Sequence, residues 1–184
     1  MKKKIPLSKA HRLVNHGPVV LVTSQVKGSR PNIIAVAWIT PLCLNPPRVG
    51  ISISENHYSH KLILEGGEFV VNVPSAAMAS KVLLCGKISG KEADKFKKAH
   101  LTPLASKAVS PPLILECIGH LECRLENHIK VGDHTFFIGR IVNAWAEGDL
   151  FVDTWMVEKS GGEGLHHLGG DAFAVSNKKL SVDG

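Results

Sequence analysis

Short apolar runs separated by glycine, proline and asparagine dominate the chain. Residues 19–24 read VVLVTS, residues 49–54 alternate apolar and polar positions as VGISIS, and residues 68–73 read EFVVNV. Two longer runs of the same type, 114–125 and 136–147, are separated by a polar turn. β-Branched residues, alternation with a period of two and turn residues between the runs are typical of antiparallel strands.

Helical patterns are fewer and shorter. The candidates are 8–14, 57–65, 76–84 and 92–100, the last of which is rich in lysine and alanine. Strands and helices do not alternate regularly, and no GxGxxG motif follows a strand, which argues against a doubly wound dinucleotide-binding fold. The sequence also shows no internal repeat and no long linker. We therefore predict a mainly β fold, an antiparallel β-barrel with a few helices, in a single domain.

The composition is that of a globular protein. The 184 residues are 44% hydrophobic, which is enough for one domain with its own core. No apolar run reaches the roughly 20 residues that a membrane-spanning helix requires. No signal-peptide pattern follows the basic N-terminus. We expect a cytoplasmic protein that does not associate with membranes.

The net charge of +6 raises the question of nucleic-acid binding. The basic residues are dispersed, apart from the N-terminal KKK and the KEADKFKK segment, and aromatic residues make up only 5% of the chain. This aromatic content provides no evident base-stacking surface. Nucleic-acid binding is therefore a minor alternative, and a small phosphorylated ligand explains the local basic residues equally well.

The cysteines and histidines lack the spacing of a metal site. No CxxC pair occurs among the four cysteines, which we expect to be reduced and structural: Cys43, Cys85, Cys117 and Cys123. His166 and His167 are adjacent, and neighbouring side chains on an extended chain point to opposite faces. No metal is expected.

The segment 31–54, PNIIAVAWITPLCLNPPRVGISIS, combines a strand pattern with unusually small residues. Ala35 and Ala37 stand where a buried strand would carry bulky side chains, and Asn32 stands at its start. Small side chains leave room for a ligand against the backbone. An ordinary core strand followed by a surface turn is the alternative interpretation.

The loop after this segment, ENHYSHKLI, opens a short helix and carries hydroxyl, imidazole and lysine groups. Ser54, Ser59 and Lys61 can bind an anion there, and the free N–H groups at the start of a helix favour phosphate. The combination predicts a flat ring beside the small-residue strand, with a phosphorylated tail near the loop.

Two further segments could complete such a site. Residues 85–96, CGKISGKEADKF, contain glycines and lysines but lack the GK[ST] ending of a Walker loop, so a solvated turn explains them as well. Residues 132–139, GDHTFFIG, place His134 at the start of a strand. No GxSxG, HExxH or Cys/His arrangement typical of hydrolases is evident, which favours chemistry supplied by a bound cofactor.

Taken in order, seven segments resemble the flavin reductase-like family of FMN-binding split-barrel proteins, which includes the flavoredoxins. The segments are PVVLVTS, NIIAVAWIT, PPRVGISIS, GGEFVVNVPS, GKISGKEADKF, LECRLE and GDHTFFIGRI. The likeness extends over about residues 17–173 of a single domain that spans 1–184. It implies a Greek-key antiparallel split barrel that binds FMN.

The resemblance also implies roles for individual residues. FMN would lie along a strand at 32–40, with its phosphate near the loop after GISIS. His134 would be the catalytic residue, beside the isoalloxazine ring, where it orients the nicotinamide. The residues assigned to the cofactor are Asn32, Ala37, Trp38, Ile39, Thr40, Ser52, Ile53, Ser54, His57, Ser59, Lys61, Gly86, Ser89 and Lys95.

One position departs from the family pattern. Members often carry an arginine two residues before the hydroxyl residue of the phosphate loop, whereas this chain has His57. A histidine is a weaker and pH-dependent anion ligand.

The function that the resemblance implies is an NAD(P)H-dependent flavin or ferric reductase. Such a protein transfers hydride from the nicotinamide of NADH or NADPH to bound FMN and then passes electrons to an acceptor. It would work as a homodimer with a small-molecule donor and acceptor. The alternative is a flavoredoxin-like FMN electron-transfer protein without its own nicotinamide site.

Overall fold

The computed structural model describes residues 4–15 and 17–182. The strands in this part of the chain are β1 Val20–Ser24, β2 Asn32–Val36, β3 Ile39–Leu44, β4 Pro47–Ser54, β5 Glu68–Val73, β6 Pro103–Leu104, β7 Leu113–Ile114, β8 Gly119–Val131, β9 His134–Ala146, β10 Gly164–Gly169 and β11 Ala172–Ser176. The α-helices are α1 Tyr58–Gly66, α2 Ala79–Lys87 and α3 Lys95–Lys98, and short 3-10 helices span Leu7–Leu13 and Ala76–Met78. The N-terminal basic residues 1–3 and the last residues of the polar tail, 183–184, lie outside the described residues.

Seven strands form one sheet in the order β2-β1-β5-β8-β9-β4-β3, and every neighbouring pair is antiparallel. The two edge strands, β2 and β3, are consecutive in the chain and are separated by only Ala37 and Trp38. The two edges of the sheet therefore approach each other at this point. The predicted mainly β antiparallel barrel is confirmed, although the strand predicted at 32–40 is interrupted at these two residues.

Successive side chains of β1 point to opposite faces of the sheet and belong to two different core clusters, one on each face. Val22 belongs to the cluster that contains Phe137 of β9. Leu21, its neighbour in sequence, packs with Ile33 of β2 and with Val82 of α2. α2 and α3 thus cover one face of β1 and β2, while Ile63 of α1 packs with the barrel core on the other face.

The helices have different bounds from those predicted. The helix expected at 92–100 is reduced to α3, because the Asp94 side chain accepts a hydrogen bond from Lys97 N and fixes the N-terminus of the helix there. Ala93 N still donates to Ser89 O in the preceding turn. The helix expected at 76–84 begins as a 3-10 turn and continues as α2 to Lys87.

The strand bounds also differ near the long β8–β9 hairpin. The run expected at 114–125 is divided, since Leu113 and Ile114 pair with β6 and the long strand begins only at Gly119. β9 begins at His134, two residues earlier than predicted.

The β10–β11 hairpin was not predicted from the sequence pattern. Val19 N donates to Leu165 O at 2.9 Å, and Ala76 N donates to Glu163 O at 3.0 Å, so the hairpin is held against the barrel beside β1. This contact brings residues near the end of the chain to the region around β2.

The cysteines are free thiols within the described residues. Cys85, Cys117 and Cys123 are buried, and burial raises the pKa of the Cys85 thiol to about 11. These thiols therefore stay protonated and serve as small core residues. In the described ranges, no helix is long and apolar enough to cross a membrane.

Candidate functional site

Two adjoining cavities lie along β2. The first, of about 270 Å³, is called the Trp38 groove and is defined by His11, Arg12, Ala37, Trp38, His134 and His167. The second, of about 210 Å³, is called the Lys95 cleft and is defined by Asn32, Ser59, Gly86, Ser89, Gly90 and Lys95. Ile34 and His57 line both cavities, so the two meet at the middle of the strand.

β2 offers its own backbone to these cavities. Among the described strands it pairs with β1 alone. Residues of an antiparallel strand direct their N–H and C=O groups to one side or the other, so part of the polar backbone of β2 has no strand partner. A planar ligand with polar atoms at its edge can bond to this free strand edge.

The floor of the Lys95 cleft is a buried polar contact between β2 and α1. Asn32 Nδ2 donates to Ser59 Oγ at 2.8 Å, and both residues are almost fully buried. Gly90 closes over this pair, because a Cβ atom at position 90 would lie 1.9 Å from Asn32 Oδ1. Any side chain there would fill the cleft or displace Asn32.

Lys95 brings a positive charge into the same cleft. Only 5% of its surface is exposed, and its Nζ donates to Cys85 O at 2.7 Å, near the C-terminus of α2. Burial lowers the pKa of the Lys95 ammonium, since the charged form loses hydration. A lysine ammonium has three donors. Cys85 O is the one acceptor recorded for it in the described part of the chain, which makes this lysine suited to a buried anion.

The N-terminus of α1 faces the boundary between the two cavities. His57 is the N-cap residue, but its side chain makes no capping hydrogen bond, and its backbone is extended. Burial is the main cause that lowers the pKa of His57, and the positive charge of Lys95 adds to it. His57 is therefore a neutral imidazole at neutral pH, and the first N–H groups of α1 and Lys95 supply the positive potential.

Trp38 and His134 form the wall of the Trp38 groove. Their ring centroids are 4.8 Å apart with an interplanar angle of 34°. His134 is paired with Ser54 across β9 and β4, so the strand register fixes its position at the end of the barrel. The indole of Trp38 is 40% exposed, which leaves a flat apolar surface open to a second ring.

The tautomer of His134 follows from its neighbour. His134 Nδ1 lies 2.8 Å from Asp133 Oδ1, and this hydrogen bond lowers the pKa of the Asp133 carboxyl. An ionised carboxylate can only accept, so Nδ1 carries the proton. In the neutral imidazole, Nε2 is then left as an acceptor for an N–H group of a ligand in the groove.

Comparison with known proteins assigns the chain and its fold to a family. The family model described as "Flavin reductase like domain" matches residues 12–160. The chain belongs to the flavin reductase-like family. An uncharacterised protein of Archaeoglobus fulgidus is 40% identical over 133 residues, which is 72% of this chain and 73% of that protein.

Solved structures of the family superpose over nearly the whole chain. Flavoredoxin of Desulfovibrio vulgaris (Miyazaki F) gives a TM-score of 0.85 at 27% identity and covers 99% of this chain and 97% of its own. An FMN-binding domain of a flavin reductase-like enzyme from Shewanella baltica OS155 gives a TM-score of 0.81 at 26% identity, covering 97% and 96%. These likenesses confirm the predicted family and the split-barrel fold.

Most of the residues that the family resemblance suggested lie in the two cavities. Ala37, Trp38, Ser52, Ile53, Ser54 and His134 line the Trp38 groove, and Asn32, Ser59, Gly86, Ser89 and Lys95 line the Lys95 cleft, with His57 in both. β2, the end of β4, the start of α1 and the 86–95 turn are thus brought to one place by the flavin reductase-like fold.

Three predicted residues are not brought there. Lys61 lies on the exposed side of α1, where its Nζ is 3.5 Å from Glu65 Oε1, one helical turn away. Ile39 and Thr40 follow the interruption at Trp38 and line a different, apolar cavity at the far side of the strand break. The reason is the two-residue break itself, which redirects the side chains that follow it.

Other residues of the site have no signal in the sequence pattern. His11, Arg12 and Asn15 come from the N-terminal segment, and His167 comes from β10. Arg12 Nη1 donates to Leu168 O at 3.3 Å, so the two ends of the chain meet over the Trp38 groove. Gly90 was part of the quoted glycine-lysine motif, but only its contact with Asn32 reveals its role. Throughout the described residues, the site included, no group of three or more His, Cys, Asp or Glu side chains is arranged to hold a metal ion.

Proposed function

We propose that this protein binds FMN and is an oxidoreductase that takes electrons from NADH or NADPH and passes them to free flavin, a ferric chelate or another acceptor. The observation that carries the proposal is the buried Lys95 in a glycine-closed cleft that adjoins a groove lined by Trp38 and His134. A positive, enclosed end and a flat, open end match a ligand with a phosphate at one end and a ring at the other.

The Lys95 cleft fits the phosphate of FMN. Lys95 is buried, and its ammonium has N–H donors beyond the one bonded to Cys85 O. The N-terminus of α1 adds backbone N–H groups. The hydrogen bond from Asn32 to Ser59 holds the floor of the cleft in place, and Gly90 leaves the space that a side chain would occupy. Charge, space and rigidity therefore agree with a phosphate.

The Trp38 groove fits the isoalloxazine ring. The ring would lie along β2, whose free edge supplies backbone donors and acceptors for the polar edge of the ring. Ala35 and Ala37 keep side-chain bulk low on this strand. Related proteins support the cofactor, since the Shewanella baltica structure is described as FMN-binding.

When bound, FMN supplies the redox chemistry, accepting a hydride from reduced nicotinamide and releasing electrons to an acceptor. The chain contributes positioning. The Nε2 acceptor of His134 is suited to the carboxamide N–H₂ of a nicotinamide, and Asp133 holds the ring in the required tautomer. Trp38 limits the groove on one side and helps to exclude water from the stacked rings.

A second candidate function is FMN-dependent electron transfer without a nicotinamide site. It is favoured by the direct contact between Trp38 and His134, whose centroids are 4.8 Å apart, because this contact occupies surface that a nicotinamide would need. The likeness to a flavoredoxin is compatible with it. The two candidates differ in whether a nicotinamide reduces the holoprotein.

Anaerobic titration of FMN-reconstituted protein tests the proposal. Calorimetry with FMN should give equimolar binding, and NADH or NADPH should then bleach the visible absorption of the bound flavin. Bleaching by dithionite but by neither nucleotide would support the electron-transfer protein instead. Failure to retain FMN would refute both candidates.

We also propose that the protein forms a homodimer. The support is an apolar cleft of about 350 Å³ around the start of β3, lined by Ile39, Val49, Val71, Leu121 and Trp155 among others. Sedimentation equilibrium tests this, and Leu121→Lys should shift the protein towards monomer if the cleft is the interface.

A further inference from the structure

We propose that Arg12 recognises the phosphate-bearing part of the nicotinamide dinucleotide, at the mouth of the Trp38 groove. This rests on the proposed reductase function and adds to it a residue that determines which donor is bound. Its basis is the distribution of charge along the whole depression beside β2.

The depression has two separate cationic centres, one at each end, apart from Lys87 in the Lys95 cleft, whose Nζ is already paired with Asp171 Oδ2 at 2.7 Å. Lys95 lines only the Lys95 cleft, and Arg12 lines only the Trp38 groove, together with His11 and His167. Neither cavity is lined by an aspartate or glutamate. The electrostatic environment therefore favours anions at both ends.

FMN accounts for only one of these centres. It has a single phosphate, and the buried Lys95 with the N-terminus of α1 provides for it. Arg12 then remains beside the ring portion of the groove, where FMN carries no phosphate. A second anionic ligand explains this arginine, and a nicotinamide dinucleotide that places its reactive ring at Trp38 must direct its phosphates outward.

The position of Arg12 is built by the fold. Its Nη1 donates to Leu168 O at 3.3 Å, across the gap between the N-terminal 3-10 helix and β10. Gly169 permits this approach: a Cβ atom at position 169 would lie 1.3 Å from Arg12 Nη1, and the residue has a φ of +120°. The guanidinium is exposed, has further N–H donors beyond that one long bond, and can bind a phosphate in a bidentate manner.

His11 adds to the same mouth. Its ring lies 5.9 Å from that of Trp38 in an edge-on arrangement. The N-terminal segment therefore contacts the wall of the groove directly, so a ligand stacked on Trp38 lies within reach of the segment that carries Arg12. One donor molecule can therefore stack its nicotinamide ring at Trp38 and place its phosphates at Arg12.

The test uses FMN-loaded protein and two reduced donors, NADH and 1-methyl-1,4-dihydronicotinamide, which has no phosphate. Arg12→Gln should raise the NADH concentration that gives half the limiting reduction rate by about tenfold. The limiting rate and the reaction with the methyl donor should stay unchanged. Lys9→Gln, the same charge change on the same 3-10 helix but outside the groove, should behave as wild type.

Equilibrium binding provides a readout that does not depend on turnover. Calorimetry with oxidised NAD⁺ should show the same tenfold loss in Arg12→Gln and a smaller dependence on ionic strength. Arg12→Lys should recover part of the affinity. Gly169→Ala, with melting temperature measured in parallel, should lose affinity without any change of charge, because the new methyl group displaces the guanidinium. If Arg12→Gln loses more affinity for NADPH than for NADH, Arg12 binds the 2′-phosphate. If it loses the same affinity for both, Arg12 binds the pyrophosphate.

Three outcomes would overturn the inference. Equal behaviour of Arg12→Gln and Lys9→Gln removes any role for Arg12. If the reaction with the methyl donor weakens as much as that with NADH, Arg12 acts on the flavin or on the shape of the groove. A loss of FMN affinity in Arg12→Gln would mean the same. If neither donor reduces wild-type holoprotein, the proposed reductase function itself is wrong, and that result is distinct from the first two.

Discussion

The Lys95 cleft and the Trp38 groove adjoin along one strand but are built in different ways. In the cleft the polar groups are buried and bonded to each other, as in the hydrogen bond from Asn32 to Ser59. In the groove Trp38 is 40% exposed, and Arg12 and His11 are exposed as well. The cleft is a preformed socket, whereas the groove is open to solvent on one side.

The difference teaches how a site can retain one ligand and exchange another. Rigid, buried donors bind a phosphate without a large cost for ordering side chains. In the groove the aromatic rings of the wall are exposed, and Arg12 lies outside the cleft. A second ligand can therefore enter and leave. We therefore expect changes in the cleft to alter FMN retention, and changes in the groove to alter reaction with the donor.

The strongest expected effect comes from filling the cleft. In Gly90→Ala the new methyl group would lie only 1.9 Å from Asn32 Oδ1. The hydrogen bond between Asn32 and Ser59 must then break, or the turn that carries residue 90 must move. FMN affinity should fall by at least about 100-fold, which corresponds to 2.8 kcal/mol, and overpacking of this kind costs about 1–3 kcal/mol of folding stability. Calorimetry and urea unfolding measure the two effects.

Gly148→Ala is the matched control, because a Cβ atom there meets no atom within 4 Å. It should leave FMN affinity and stability unchanged. If Gly90→Ala binds FMN as tightly as wild type, the ligand does not use the cleft.

Removal of the buried charge should have the next largest effect. Lys95→Met keeps the length of the side chain but loses the ammonium, so FMN should bind about 10- to 100-fold more weakly, as expected for hydrogen bonds to charged groups worth about 1.5–3 kcal/mol. Riboflavin, which has no phosphate, should be affected much less. Fluorescence titration with both flavins separates the two cases.

Two controls sharpen this prediction. Lys98→Met changes an exposed lysine of the same helix, and Lys61→Met changes the lysine that the structure directs away from the cleft. Neither should weaken FMN appreciably. Equal losses for FMN and riboflavin in Lys95→Met would mean that the phosphate lies elsewhere and that Lys95 only caps α2.

A change in the groove should affect rate rather than retention. His134→Ala removes the contact with Trp38 and the Nε2 acceptor, so reduction of bound flavin by NADH should slow by about 10- to 100-fold, while FMN affinity stays nearly constant. Stopped-flow measurement of the reduction and oxidation half-reactions distinguishes the donor step from the acceptor step. Oxidation by a ferric chelate should change less.

His128→Ala serves as the control for loss of an exposed imidazole from the neighbouring strand β8, outside both cavities. Should His134→Ala release FMN while its remaining holoprotein is reduced at the normal rate, His134 is a cofactor ligand and the division between cleft and groove fails at this residue.

The smallest expected effect is a pH dependence at the boundary of the two cavities. Burial and the nearby positive charges lower the pKa of His57 below its ordinary value near 6.5, so the imidazole is neutral at pH 7.5. As the pH falls through this lowered pKa, His57 gains a charge that attracts phosphate. The ratio of FMN affinities between wild type and His57→Gln should therefore rise on acidification, by about two- to fivefold for a partly exposed ion pair.

Comparison with the variant cancels protonation of the FMN phosphate, which affects both proteins equally. Titrations from pH 7.5 to 5 measure the ratio. A ratio that does not change with pH would place the phosphate out of reach of His57.

The sequence by itself determined the mainly β fold, the family and most of the cleft. Alternation in β4 is a local property that indicates which side chains face the core, and the continuous apolar run of β1 indicates a strand that is buried on both faces. Asn32, Ser59 and Lys95 belong to short motifs whose order along the chain is fixed, so a resemblance can locate them. The floor of the Lys95 cleft is for this reason largely readable from the sequence.

The tertiary structure alone decided the rest. The interruption at Ala37 and Trp38 arises where the two edges of the sheet approach, and it directs Ile39 and Thr40 away from the groove. Lys61 faces solvent because of its angular position on α1, which a motif does not encode. Arg12 and His167 are far apart in sequence and line the same groove because the β10–β11 hairpin is hydrogen-bonded to Val19 and Ala76, long-range contacts that leave no periodic signal in either segment.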